Sequence, residues 1–276
     1  MTKLLKLFCT SHKNVNYLNE FKDNINLVGC GPANFDNNWI NSNTRINIQQ
    51  KFNNYADLVG QYWVWKNYIK DHLNENIWVG ISQYRRHWLN STFEEKNKYD
   101  LKSLNKIILI ESKKEWSKFD SVLTTPFIFK EKFFEKIKSF NFFKDKVTIK
   151  NQMFQSLGKI LEYTYDEMLK KLPDSLGTEF DYYISNSNIL SAHGMYISSP
   201  KILDTYMELI FNWFEECENI IEPESNIKLS NIPRFFQYFN ERFSDFWFRK
   251  YTNFTTNPIG MYKINSNQIT LIGKTI

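Results

Sequence analysis

Apolar positions along the chain change their period several times, and the changes outline an α/β order. Leu4 to Cys9 is a short apolar run, the pattern of a buried strand, and it stops at the polar Thr10-Ser11-His12-Lys13. Ile25 to Val28 predicts a second strand closed by Gly29-Cys30-Gly31-Pro32, and residues 33 to 50 carry no period and read as a loop. From Tyr55 to Tyr68, the positions Leu58, Tyr62, Trp65 and Ile69 recur at spacings of three and four, which predicts an amphipathic helix ending near Asp71. Ile77 to Ile81 is a compact buried strand with Gln83-Tyr84-Arg85-Arg86-His87 at its carboxyl end. Lys106 to Ile110 and Ser121 to Thr124 read as further strands, and Phe127 to Phe143 as an aromatic-rich helix. Helical spacing then runs from Asn151 to Leu172, Ile189 to Ile197 is extended, and Pro200 and Pro233 open helices over 201–221 and on to about Tyr251. Alternating strands and helices come first and helices predominate afterwards. In such a sheet, the loops at the carboxyl ends of the strands are the preferred ligand position.

Composition narrows the class. With 276 residues and 42% hydrophobic content, the chain can bury a sizeable core, which excludes a disordered protein or a disulfide-stapled mini-protein. No internal repeat and no low-complexity linker divides it. No window approaches the roughly 18 uninterrupted apolar residues of a membrane span, and the opening MTKLLKLFCTSHK turns polar too soon for a secretory signal, so a cytoplasmic location is expected. Cys9, Cys30 and Cys217 are far apart and form no CxxC pair, which suggests neither a disulfide framework nor zinc. The net charge of +5 is modest and dispersed. It suits a phosphorylated small molecule or an anionic membrane surface rather than nucleic acid.

The residues with chemical content are few. Arg85 and Arg86 directly follow a buried strand, where planar guanidinium groups can fork onto phosphate oxygens, although such a pair also occurs as a solvated turn. Trp63 and Trp65, at i and i+2, cannot face the same side of a helix, so one can line a cleft while the other is core, or both can be core. Histidines 12, 72, 87 and 193 show no HExxH spacing and no Asp-x-Asp occurs; Glu179-x-Asp181, Glu216-x-Glu218 and Glu222-x-Glu224 are the nearest substitutes, the first of them as a Mg²⁺ or Mn²⁺ ligand pair or else a solvated turn. Absent GxGxxG, GxxxxGK[ST] and GxSxG motifs argue against dinucleotide oxidoreductases, P-loop NTPases and α/β-hydrolases. Arg234, Glu241 and Arg242 fall at i, i+7 and i+8 of the last helix, roughly on one face, where an ion pair is the plain reading.

Together these residues carry a pattern. Tyr55-x-Asp57-Leu58-x-x-x-Tyr62-Trp63-x-Trp65-Lys66-Asn67, followed by Val79-Gly80-Ile81-x-x-Tyr84-Arg85-Arg86, resembles the DUF4422 family of bacterial capsule and lipopolysaccharide biosynthesis proteins, which reads N-x-x-Y-x-E-L-T-x-x-Y-W-x-W-K-N and then V-G-L-x-H-Y-R-R. Thr10-Ser11-His12-Lys13, His193-Gly194-Met195-Tyr196-Ile197 and the Arg234 to Arg242 segment extend the resemblance over roughly residues 5 to 250. Departures are Asp57 for Glu, Val59 for Thr, Gln83 for the His before Tyr-Arg-Arg, and Gly194 where the family has Asn.

The resemblance implies a glycosyltransferase of GT-A-like α/β fold acting on a growing capsular or lipopolysaccharide glycan; some members are associated with galactofuranose transfer from a UDP-linked donor. One domain over 1–276 is expected, with a nucleotide-sugar-binding α/β half (1–125) and a helix-rich acceptor half (126–276). On this reading Thr10, His12, Lys13, Trp63, Lys66, Asn67, Tyr84, Arg85 and Arg86 bind the donor, and Trp65, His193, Arg234 and Arg242 the acceptor. Glu241 ranks first as catalytic base, ahead of Asp57 and Asp181. The arginines would replace a metal on the leaving diphosphate, with Mg²⁺ or Mn²⁺ at Glu179 and Asp181 as the competing arrangement. A lipid-linked acceptor would bring the protein to the inner membrane face, where Phe127 to Lys146 could touch the surface. A non-catalytic nucleotide-sugar-binding scaffold, or a metal-dependent transferase of another glycan-modifying group, also fits these residues.

Overall fold

The structure is a computed structural model, and it describes residues 2–21, 23–90, 98–100, 106–129, 147–224, 226–263 and 268–272. Its centre is a twisted mixed sheet. Strand β1 (Leu4–Ser11) pairs in parallel with β2 (Asn26–Gly29) on one side and β4 (Ile77–Gln83) on the other, and β2 pairs in parallel with the short β3 (Ile40–Asn41). Beyond β4 the sheet continues through β10 (Tyr196–Ser198), which runs antiparallel, to β7 (Ser121–Thr124) and then β13 (Phe254–Asn257), parallel to β7. A second arm leaves the end of β4 through β5 (Arg86–Trp88), β14 (Ile259–Lys263), β15 (Gln268–Ile272) and β6 (Lys98–Asp100). Two small ladders lie apart, β8 (Phe127–Ile128) with β9 (Ile189–Leu190), and β11 (Ile221–Glu222) with β12 (Ile227–Lys228).

Strand period explains why the sheet is buried on both faces. In β1, Leu5, Leu7 and Cys9 join one apolar cluster while Phe8 joins the other; in β4, Trp78 joins the first and Ile77, Val79 and Ile81 the second. The larger cluster is roofed by helices α1 (Phe52–Tyr55), α2 (Leu58–Asn67), α3 (Ile149–Leu157), α4 (Lys159–Leu169), α5 (Leu176–Asn186), α6 (Pro200–Cys217) and α7 (Phe235–Tyr251). This is the α/β, GT-A-like arrangement with a helix-rich later part, and its sheet draws strands from both halves of the chain.

Several local expectations are corrected. The helix read from Asn151 to Leu172 is two helices, because the chain turns left-handed at Gly158 (φ +64°), a conformation a residue with a Cβ resists. The helix read from Tyr55 is likewise divided at Ala56 (φ +48°), and the last helix begins at Phe235, after a left-handed Arg234 (φ +60°). Lys106 to Ile110 makes a single bridge, Leu89 to Ile108, rather than a strand. Phe127 and Ile128 are strand, and the remainder of the segment read as an aromatic helix and membrane contact, from residue 130 to 146, lies outside the described residues. Ile189 to Ile197 is extended only at its two ends. Among the described residues, no helix is long and apolar enough to cross a membrane.

Candidate active site

Parallel strands deliver their carboxyl ends to one edge, and antiparallel β10 delivers its start to the same edge. There the structure gathers His12 after β1, Gln83, Tyr84, Arg85 and Arg86 at the end of β4, His193 and Gly194 ahead of β10, Asp57 at the start of α2, and Glu241 and Arg242 on α7.

The turn carrying the arginines is held from three directions. The Tyr84 amide donates to the Thr10 carbonyl (3.0 Å), the Tyr262 amide donates to the Arg85 carbonyl (2.7 Å), and the Tyr17 hydroxyl donates to the Tyr84 carbonyl. Tyr17 also lies 3.0 Å from His87 Nε2. His87 Nδ1 is buried without a partner among the described residues. Burial pushes His87 down to about 4, so the imidazole is neutral at pH 7.

Arg86 Nη1 donates to Gln83 Oε1 (2.7 Å), while the Nε–H groups of both Arg85 and Arg86 are buried with no partner among the described residues. Burial lowers the Arg86 pKa, nearby Glu241 and Asp57 oppose that shift, and Arg85 adds to it. A buried N–H left open in this way marks capacity for a bound acceptor.

His12 Nδ1 and Asp57 Oδ1 are 3.4 Å apart, and the His12 ring meets Tyr84 edge-on at 4.9 Å. Asp57 begins α2 but makes no capping bond; beyond the kink at Ala56 its carboxylate turns to His12 and to the Cys30 thiol (3.8 Å). Burial and Asp57 together hold the Cys30 thiol well above its ordinary range. His12 and Asp57 line a cavity of about 290 Å³ with Phe52, Asn53, Ala56, Pro233 and Arg234, so residues expected on the donor and acceptor sides share one wall.

On the opposite side, His193 (φ +79°) and Gly194 (φ +56°) form a left-handed turn, and a Cβ on Gly194 would lie 2.7 Å from Asn240 Nδ2. Burial, Arg86 and Arg242 drive His193 down to about 3, leaving it neutral at pH 7. Glu241 pairs with Arg242 Nη1 (3.1 Å); Arg242 is buried, stacks on Tyr238 at 3.7 Å and donates to Gln152 Oε1 (2.8 Å). Arg85, Arg86, Arg234 and Arg242 outnumber the two carboxylates, Asp57 and Glu241, so the edge favours an anion.

Other expected site residues have their contacts elsewhere. Thr10 donates to the Ser82 carbonyl inside the sheet, and Lys13 is exposed beside Ser11. Trp63 donates to the Thr44 carbonyl (3.0 Å), Trp65 to Asp204 (2.7 Å), Lys66 lies over the Trp65 ring at 3.5 Å, and Asn67 ties down Ile46. Asp181 on α5 accepts from Lys150 and Tyr165, while Glu179 accepts from Lys250 and Ser175, which holds Glu179 below the usual carboxylate range. Two residues apart on one helix, Glu179 and Asp181 face different lysines rather than one point. Gln83, Tyr17, His87 and Asn240 had no assigned role in the sequence; for Gln83 and His87 a signal existed, their places directly before and after Tyr84-Arg85-Arg86.

The comparisons with known proteins bear on the fold and the family. The chain superposes on a solved apo structure of WbbM, a bifunctional glycosyltransferase, with a TM-score of 0.58 and 16% identity, over 93% of this chain and 45% of that one. It therefore spans less than half of that protein, and the likeness at this identity is one of fold: GT-A-like α/β. No curated protein matches. The profile of DUF4422, a domain of unknown function, matches residues 6–253, and the chain belongs to that family.

Proposed function

We propose that the protein is a glycosyltransferase that moves a sugar from a UDP-sugar, galactofuranose being the first to test, to a capsular or lipopolysaccharide glycan at the inner membrane face. The observation that carries the reading is the pair of half-buried arginines at the end of β4, with open Nε–H groups, beside the His12–Asp57 contact that follows β1. His12 and Asp57 meet the nucleotide; Arg85 and Arg86 meet its diphosphate. The acceptor hydroxyl oxygen forms a bond to the anomeric carbon, the bond from that carbon to the diphosphate oxygen breaks with its electron pair, and a carboxylate takes the hydroxyl proton.

Glu241 is the base in this reading, because it faces Arg86 and the His193–Gly194 turn and is partly open to solvent. Preorganised guanidinium groups stabilise the charge that develops on the diphosphate, the task a metal performs in other transferases. The test is UDP release from a panel of UDP-sugars with a glycan acceptor, with and without Mg²⁺ and EDTA. Turnover that survives EDTA and drops in Glu241→Gln, with UDP binding retained, supports the reading. UDP binding without any turnover favours the scaffold reading, and turnover abolished by EDTA favours a metal-dependent transferase.

A further inference from the structure

We propose that Gln83 is the positioning residue that aims Arg86, an inference that rests on the reading of Arg86 as a diphosphate ligand. Gln83 ends β4, is only 3% exposed, and faces Arg86 across the two-residue turn of Tyr84 and Arg85. Its Nε2 donates to the His193 carbonyl (2.6 Å) and its Oε1 accepts from Arg86 Nη1 (2.7 Å). That orientation is forced, since a guanidinium only donates and a carbonyl only accepts.

One amide therefore links the arginine to the left-handed His193–Gly194 turn from the other side of the edge. The Asn240 amide fills the space that a Cβ on Gly194 would need, so that side of the turn is closed. With Nη1 held by Gln83, the remaining N–H groups of Arg86, the buried Nε–H among them, keep a fixed direction. Asp57 and Glu241 lie near Arg86 but have no hydrogen bond to it among the described residues, so Gln83 is its observed anchor.

The role needs one acceptor and one donor at position 83. A neutral imidazole offers the same pair, and histidine is what the family pattern carries there; methionine has the length but no donor and only a weak acceptor, and glutamate lacks the donor. Position 83 is buried and bonded to the Arg86 guanidinium, and both burial and a neighbouring cation favour the neutral form of an imidazole placed there.

The experiment is calorimetric titration of UDP, in EDTA, into the full chain and its Gln83→Met, Gln83→His and Gln83→Glu variants, each checked by melting. Loss of the charge-assisted anchor should weaken UDP by about tenfold or more in Gln83→Met, and Gln83→His should stay within about threefold of wild type. Gln83→Glu should bind weakly, because a carboxylate would neutralise Arg86 and leave the His193 carbonyl unpaired. Rescue by histidine, which differs from glutamine in shape but not in donor and acceptor, is a result that packing alone would not produce. Wild-type affinity in Gln83→Met, or an equal loss in Gln83→Met and Gln83→His, would overturn the inference while leaving the proposed function standing. If Gln83→Met fails to fold, equal UDP affinity in Gln83→Glu and Gln83→His overturns it. Wild-type protein that does not bind UDP overturns the proposed function and this inference with it.

Discussion

Tyr62 to Asn67 and Tyr84 to Arg86 are the two most distinctive segments of this chain, both aromatic and basic, and they do opposite things with their polar atoms. In the first, the indole, ammonium and carboxamide groups are answered within the protein: Trp63 by Thr44, Trp65 by Asp204, Lys66 by an aromatic face and Asn67 by Ile46. In the second, the backbone is clamped by Thr10, Tyr17 and Tyr262 while the guanidinium Nε–H groups are left open. A rigid backbone under unspent donors is the arrangement of a binding site; a saturated motif is the arrangement of a structural joint. Distinctiveness in sequence did not separate the two, and hydrogen-bond accounting does.

The largest effect should come from the joint. Trp65→Ala removes a buried ring stacked on Phe211 at 5.5 Å and should cost about 3–5 kcal/mol of stability by denaturant unfolding, with turnover per folded molecule unchanged. A folded variant with intact stability and lost turnover would instead put Trp65 in the site.

Next in size is a pH effect beneath the arginine turn. His87 falls from its ordinary 6.5 to about 4 in the folded protein, so protons favour the unfolded chain between those values. Its contribution, on the order of 3 kcal/mol, is fully present above pH 6.5, is lost as the pH falls toward 4, and is constant below that. His193, held at about 3, acts in the same direction. Melting temperatures between pH 7.5 and 4 should therefore fall less steeply in His87→Phe than in wild type; parallel curves would show that His87 is not buried neutral.

Arg86→Ala and Arg85→Ala should each lower transfer by about a hundredfold or more in protein that still folds, as expected when a preorganised donor to the leaving group is removed. Near-normal turnover by either folded variant would remove that residue from the diphosphate. The smallest effect is expected for Asn67→Ala, about 1 kcal/mol of stability from the lost bonds to Ile46 and Trp63, with turnover unchanged.

What could be read from the sequence was what depends on neighbours along the chain. The strands of β1, β2, β4 and β7 stand out as apolar runs, and Thr10 to Lys13 and Tyr84 to Arg86 mark their carboxyl ends. Left-handed residues that are not glycine, such as Ala56 and Arg234, leave no local pattern, so the breaks they impose in the helices could not be seen. Short pairings such as β13 with β7 depend on partners more than a hundred residues away. The same limit holds at the site: the His12–Asp57 contact spans 45 positions and the Gln83–His193 bond 110, and no periodicity carries such information. Motif matching grouped the tryptophans with the arginines, because it weighs residue types and not what their polar atoms already touch.

In the proposed function, the end of β4 holds a diphosphate through Arg85 and Arg86. Its most direct test is calorimetric titration of UDP and of uridine, in EDTA, into wild type and Arg86→Ala. Wild type should bind UDP much more tightly than uridine, and Arg86→Ala should lose most of this difference while its uridine affinity is unchanged. Equal binding of UDP and uridine by wild type, or an undiminished preference for UDP in Arg86→Ala, would contradict it.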